Sequence, residues 1–137
     1  MTKQALAAYI SDCFSIEPDY PWSDIEDGCV FRHVDTRKWF CVGLRVLYRK
    51  LKIDRDGSVD IVDVKCDPLL KGAYMTHPGV VPAYHMNKEH WLTILLDGTA
   101  EDAVIKELLT LSFELTRAKK RRGDPANKNE LTPEMND

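Results

Sequence analysis

The sequence lacks an apolar run long enough to cross a membrane. The longest such run, Trp91–Leu96, is interrupted by Thr93, whereas a membrane-spanning helix needs about 20 apolar residues. The first residues, Met1–Gln4, lead into a polar-patterned helix and not into the apolar core of an export signal. We therefore expect a cytoplasmic protein with no membrane partner.

Clustered glycines and paired cysteines are also missing. The seven glycines are scattered singly, so there is no glycine-rich loop of the kind that cradles a phosphate. No Cys-x-x-Cys pair occurs, and each cysteine lies inside an apolar pattern. Four buried, reduced thiols are expected, without a disulfide framework. They are Cys13, Cys29, Cys41 and Cys66.

Two patterns resemble metal-binding sites but do not meet the chemical requirements of such a site. Asp54–Asp60 resembles a calcium loop, but Gly57 stands at position four instead of six, and Lys65 occupies position twelve, which needs a bidentate glutamate. His85 and His90 are five residues apart, yet no cysteine pair accompanies them to complete a zinc site. Neither histidine has a nucleophile or carboxylate at a diagnostic spacing. We expect no metal, no cofactor and no enzymatic activity.

The length of the chain fits one domain. It has 137 residues, of which 44% are hydrophobic, enough for a substantial core. We expect residues 1–122 to form that domain. Residues 123–137 contain too few apolar side chains to pack against it, so a disordered tail is expected there. The sequence does not indicate an oligomeric state.

The net charge of −3 conceals a strong segregation of charge. Residues 31–55 carry eight bases and two acids, and residues 117–122 carry five bases and no acid. Residues 1–30, by contrast, carry six acids and one base. Two basic blocks on an acidic protein can form the footprint of an anionic partner. The more ordinary interpretation is a solvated hairpin plus the C-terminal end of a helix, where the helix dipole favours cations.

Hydrophobic spacing predicts a helix and three strands in the first half of the chain. Thr2 is a good N-cap for the helix. The alternation of apolar residues along Lys38–Leu47 is typical of a sheet with one buried face. Further strands are predicted at Cys29–His33 and Val59–Cys66, with a tight turn at Asp56-Gly57 before the latter.

The second half begins with Asp67-Pro68, an N-cap followed by proline at the first helical position. A short helix is predicted at Leu69–Met75, and strands are predicted at Val80–His85 and Trp91–Leu96. Thr99 is expected to cap a last amphipathic helix. The resulting order predicts an α/β (α+β) two-layer sandwich, α-β(3)-α-β(2)-α, with a mainly antiparallel sheet and helices on one face.

Residues 84–93 form the densest group of polar and aromatic side chains. This segment could bind phosphate or stack a base. It could equally be structural: Asn87 could cap a short turn, the two histidines could bond backbone carbonyls, and Trp91 could belong to the core. The side chains concerned are Tyr84, His85, Asn87, Lys88, His90 and Trp91.

Three stretches, residues 64–70, 78–91 and 95–98, resemble the MmcQ/YjbR family. The His-Met-Asn-Lys-x-His-Trp string, followed by Leu-Asp-Gly, is the most specific part, and the resemblance covers roughly residues 2–117. It implies a secretion-chaperone-like fold, similar to a double-wing DNA-binding domain, and the label of DNA-binding protein without an established catalytic mechanism. One departure is the basic excursion from Leu47 to Asp60, which many members lack. The matching family positions are Lys65, Tyr84, His85, Asn87, Lys88, His90 and Trp91.

Two functions follow as hypotheses. The first is electrostatic binding of double-stranded DNA, with residues 117–122 assisting. The second is a protein-interaction or small-ligand module without catalysis, which would need an exposed apolar patch or a pocket beside Tyr84, His85, His90 and Trp91. The predicted DNA contacts are Arg45, Arg49, Lys50, Lys52, Arg55, Lys65 and Lys88.

Overall fold

Five strands form one sheet in the computed structural model, which describes residues 1–118. The spatial order is β1-β2-β3-β5-β4, and all neighbouring strands are antiparallel. The element order is the predicted α-β(3)-α-β(2)-α, which confirms the fold class. The strands are β1 (Cys29–Arg32), β2 (Trp39–Leu47), β3 (Ser58–Lys65), β4 (Val80–Pro82) and β5 (Trp91–Leu95), and the helices are α1 (Lys3–Phe14), α2 (Pro68–Tyr74) and α3 (Asp102–Thr116).

Capping side chains explain where the first two helices begin. The Thr2 hydroxyl accepts a hydrogen bond of 3.0 Å from the backbone N–H of Ala5. The Asp67 carboxylate accepts one of 2.9 Å from Leu69, and Pro68 occupies the first turn of α2. Each cap pairs an N–H that the helix itself leaves unbonded. Both caps are those that the sequence predicts.

The start of α3 differs from the prediction. The helix follows Glu101, and Thr99 does not cap it. Thr99 instead donates both its backbone N–H and its hydroxyl to the carboxylate of Asp97 in the preceding turn. The prediction of β4 was also too long: the strand stops at Pro82, because proline has no N–H with which to continue the ladder.

Both faces of the sheet are buried, whereas the alternation in β2 predicted one. On one face, α1 and α3 pack Leu6, Ile10 and Leu108 against the strands. On the other face, loops cover the strands with side chains that include Trp22 and Met86. The covering loops are distant in sequence, so the pattern of β2 alone does not reveal them.

Burial of the cysteines is only partly as predicted. Cys29, Cys41 and Cys66 are buried, but Cys13 is exposed near the end of α1. All four are free thiols. No helix within residues 1–118 combines the length and the apolarity that a membrane crossing requires. The predicted domain boundary at residue 122 and the predicted tail, residues 123–137, lie outside the described residues.

Candidate functional site

The segment between β2 and β3, residues 48–57, is called the basic hairpin below. Arg49 donates hydrogen bonds of 2.9 Å to both Asp54 and Asp56, so the hairpin's own acids pair with this cation. Lys50 and Lys52 are exposed and form no ion pair within residues 1–118. The charge of Arg49 is therefore neutralised within the hairpin, whereas Lys50 and Lys52 have no acidic partner among the described residues.

The two other arginines predicted to contact DNA also face acids. Arg45 Nη1 lies 2.9 Å from Asp60 Oδ1 on the neighbouring strand. The guanidinium of Arg55 lies 3.9 Å from a carboxylate oxygen of Asp97 and 4.5 Å from the centre of the Tyr48 ring. These acidic partners are remote in the sequence from the arginines they pair with. Counting the bases of residues 31–55 therefore overstates the positive charge that the folded surface presents.

The predicted DNA contacts divide between opposite ends of the sheet. The basic hairpin precedes Ser58 at the start of β3, and Lys65 is the last residue of that strand. The seven steps from Ser58 to Lys65, at a rise of about 3.3 Å each, separate these ends by roughly 23 Å. Lys88 belongs with Lys65, because it stands close enough to Asp63 to favour that carboxylate's ionised form. The structure does not bring the two groups together.

The end of the sheet at Lys65 is called the motif end below. Lys65 pairs with Trp91 across β3 and β5, and its ammonium lies 5.9 Å from the indole centre. The backbone N–H of Lys65 donates to Ser112 Oγ at 2.8 Å, which fixes the last turns of α3 at the same end. Lys71 donates to the backbone carbonyl of Lys88 and joins α2 to the family motif.

Two residues of the family motif have clear structural roles. Asn87 Oδ1 accepts hydrogen bonds from the backbone N–H groups of Glu89 (2.8 Å) and His90 (3.1 Å), which caps the short turn before β5. Trp91 is only 3% exposed and belongs to the core. Trp91 therefore presents almost no surface to a ligand.

Beneath the motif lies a buried carboxyl group that the sequence analysis missed. Asp63 is 0% exposed, and its Oδ1 accepts a hydrogen bond from the Thr93 hydroxyl. Thr93 Oγ1 in turn accepts the backbone N–H of Tyr84 at 2.8 Å. Asp63 Oδ2 has no hydrogen-bond partner within residues 1–118. The sequence did carry a signal, since Asp63 continues the alternating row of Val59 and Ile61, both buried.

Burial raises the pKa of Asp63 to about 7, because the apolar surroundings disfavour the carboxylate. The Thr93 hydroxyl, the Tyr84 backbone and the positive charge of Lys88 act in the opposite direction. Lys88 also donates a hydrogen bond to the backbone carbonyl of Ala83. Lys88 thus acts electrostatically on Asp63 while remaining an exposed residue.

The two histidines of the motif are exposed. His85 has a left-handed backbone (φ 63°), and its ring lies 4.1 Å from that of half-buried Tyr84. His90 Nε2 is 3.9 Å from a carboxylate oxygen of exposed Glu89. Of the four side chains expected around a pocket, Trp91 lies in the core and the two histidines lie at the surface.

Comparison with known proteins extends the resemblance noted in the sequence. The family model described as YjbR matches residues 14–115. The chain is 32% identical over 117 residues to YyaQ of Bacillus subtilis strain 168, named an uncharacterized protein; the match covers 85% of this chain and 99% of YyaQ.

Solved structures show the same fold. A crystal structure of a Pseudomonas syringae protein is 41% identical, with a TM-score of 0.82, and the match covers 85% of this chain and all of the other. Protein DR2400 of Deinococcus radiodurans, described with a DUF419 domain, is 25% identical with a TM-score of 0.62, over 95% of this chain and 87% of its own. The chain belongs to the YjbR family.

Proposed function

We propose that the protein binds double-stranded DNA through the phosphate backbone, and that the motif end is the surface that contacts it. The observation that carries this proposal is a group of four lysines gathered there from different segments. None of the four forms an ion pair with an acidic side chain within residues 1–118. Lys38 directly precedes β2, whose first residues run beside the end of β3, because Cys41 pairs with Val64 in antiparallel register. The four are Lys38, Lys65, Lys71 and Lys88.

The position of the C-terminal end of α3 also supports the motif end as the surface that contacts DNA. α3 ends at Thr116 beside the motif end, where the Thr116 hydroxyl lies 2.8 Å from Nε2 of buried His33. The sequence continues directly after Ala118 with four more bases, Lys119–Arg122, which lie outside the described residues. The basic hairpin is the weaker candidate, because Arg49 and Arg55 face acids, as does Arg45 on the adjoining β2. It keeps two lysines without an acidic partner among the described residues, against four at the motif end.

A salt titration of duplex affinity tests this proposal. Each phosphate neutralised should contribute about 0.9 to the slope of log K against log salt. Lys38→Gln combined with Lys65→Gln should reduce that slope by roughly 1.8. The matched control, Lys50→Gln combined with Lys52→Gln in the hairpin, should leave it unchanged. If both double variants reduced the slope equally, the motif end would not be the contacting surface. If the protein did not bind the duplex at about 50 mM salt, DNA binding itself would be contradicted.

The protein is further proposed to be cytoplasmic and to act without catalysis. Three buried free thiols are consistent with a reducing compartment. The two hydroxyl–base contacts at this end, Thr93 with Asp63 and Thr116 with His33, are buried. The proposed binding requires neither a nucleophile nor a base. A small-ligand function remains as the second candidate, because a charged cleft lies elsewhere on the molecule.

A further inference from the structure

A cleft of about 360 Å³ opens between the start of α1 and the sheet, away from the motif end. The apolar part of its lining includes Ala7, Cys29 and Phe31. A volume near the lower end of the usual range of about 300–1,000 Å³ suits one small molecule and not a polymer. Gly43 pairs with Cys29 across β1 and β2, and a Cβ there would come within 2.9 Å of the Cys29 sulfur. The glycine therefore leaves room for this thiol.

Charges of both signs line the same cleft in equal number. Arg45 and Lys3 are the cations, and Asp60 and Asp27 are the acids. Arg45 uses Nη1 to bind Asp60 Oδ1, which leaves further guanidinium N–H groups and the second Asp60 oxygen for a ligand. Lys3 donates to the backbone carbonyl of Asp27 at 3.0 Å and leaves that carboxylate available. Since these charges cancel, a ligand with a net negative charge gains less electrostatic stabilisation here than a molecule that carries charges of both signs.

We propose that this cleft binds a zwitterionic α-amino acid. Arg45 would receive the ligand's carboxylate, because guanidinium matches a carboxylate through two parallel hydrogen bonds. Asp60, on the adjacent strand, would receive the ammonium group. Half-buried Ala7 and exposed Tyr20, which also line the cleft, would contact an apolar side chain. The existing Arg45–Asp60 pair is partly solvent-exposed, with side-chain exposures of 51% and 27%, so exchanging part of it for ligand contacts costs little.

This proposal is independent of DNA binding. Arg45 and Asp60 lie in the half of β2 and β3 next to the basic hairpin, not at the motif end. The burial of Cys29 raises the pKa of its thiol, so the floor of the cleft stays uncharged near neutral pH. A failure of DNA binding leaves the argument for the cleft intact, and the reverse also holds.

The test is an NMR titration of the ¹⁵N-labelled protein with the common α-amino acids, each added separately. We expect saturable shifts at Ala7, Cys29 and Arg45 for at least one apolar amino acid. Its analogue without the amino group and its analogue without the carboxylate should each bind at least about tenfold more weakly, because each loses a charge-assisted bond. For a phenylalanine ligand these analogues are 3-phenylpropionate and phenethylamine.

Two variants and one control complete the test. Arg45→Gln and Asp60→Asn should each weaken binding about tenfold. Arg49→Gln, which removes a paired arginine outside the cleft, should have no effect. Equal binding of the amino acid and its deaminated analogue would overturn the proposal, as would the absence of cleft shifts for every amino acid up to about 10 mM. Thermal unfolding of each variant checks that it is folded.

Discussion

Replacing Asp63 with asparagine removes an ionisable group from the sheet while nearly preserving its shape. The folded-state pKa of about 7 lies roughly 3 units above the ordinary value of 3.8, and each unit corresponds to about 1.36 kcal/mol. The protonated carboxyl group therefore favours the folded state by about 4 kcal/mol relative to the ionised one. This contribution is fully present below about pH 4, and it is lost as the pH rises toward about 7.

Urea unfolding of the wild type and of Asp63→Asn between about pH 4 and pH 8 measures this effect. The free energy of unfolding of the variant, relative to the wild type, should increase by about 4 kcal/mol across that range and then level off. Other titrating groups cancel in the difference, because both proteins carry them. Parallel pH profiles would refute the reasoning, since they would mean that Asp63 titrates alike in the folded and unfolded states.

Three further predictions concern the motif and the thiols. Lys88→Met removes the cation that favours the carboxylate, so the pKa of Asp63 should rise further in an NMR titration, whereas Lys50→Met should not change it. Asn87→Ala removes the cap of the turn before β5 and should lower the free energy of unfolding by about 1 kcal/mol; an unchanged denaturation midpoint would contradict this role. A thiol reagent should label Cys13 fast in the native protein and the three buried thiols only on unfolding; rapid labelling of more than one thiol would contradict the assigned burial.

The sequence was sufficient for the element order because its strongest signals are local. The caps Thr2 and Asp67 act within three residues of themselves, and the strand alternation of Lys38–Leu47 needs no distant partner. The family motif could also be recognised directly. These features depend on neighbouring residues, so the structure repeats them with only small shifts of the boundaries.

Features that depend on distant contacts could not be predicted in the same way. Arg55 is placed beside Asp97, 42 positions away, so the excess of positive charge in residues 31–55 did not measure the charge that a partner would meet. The second buried face of the sheet depends on loops around Trp22 and Met86. The cleft likewise combines Lys3 with Asp60, which only the packing of α1 on the sheet brings together.

The most direct test of the DNA-binding surface is an NMR titration of the labelled protein with a duplex of about one helical turn, roughly 10 base pairs. The account predicts that the largest shifts occur at Lys38, Lys65 and Lys88 and fade as salt is raised. Shifts confined to the basic hairpin, or no salt-sensitive shifts anywhere, would contradict it.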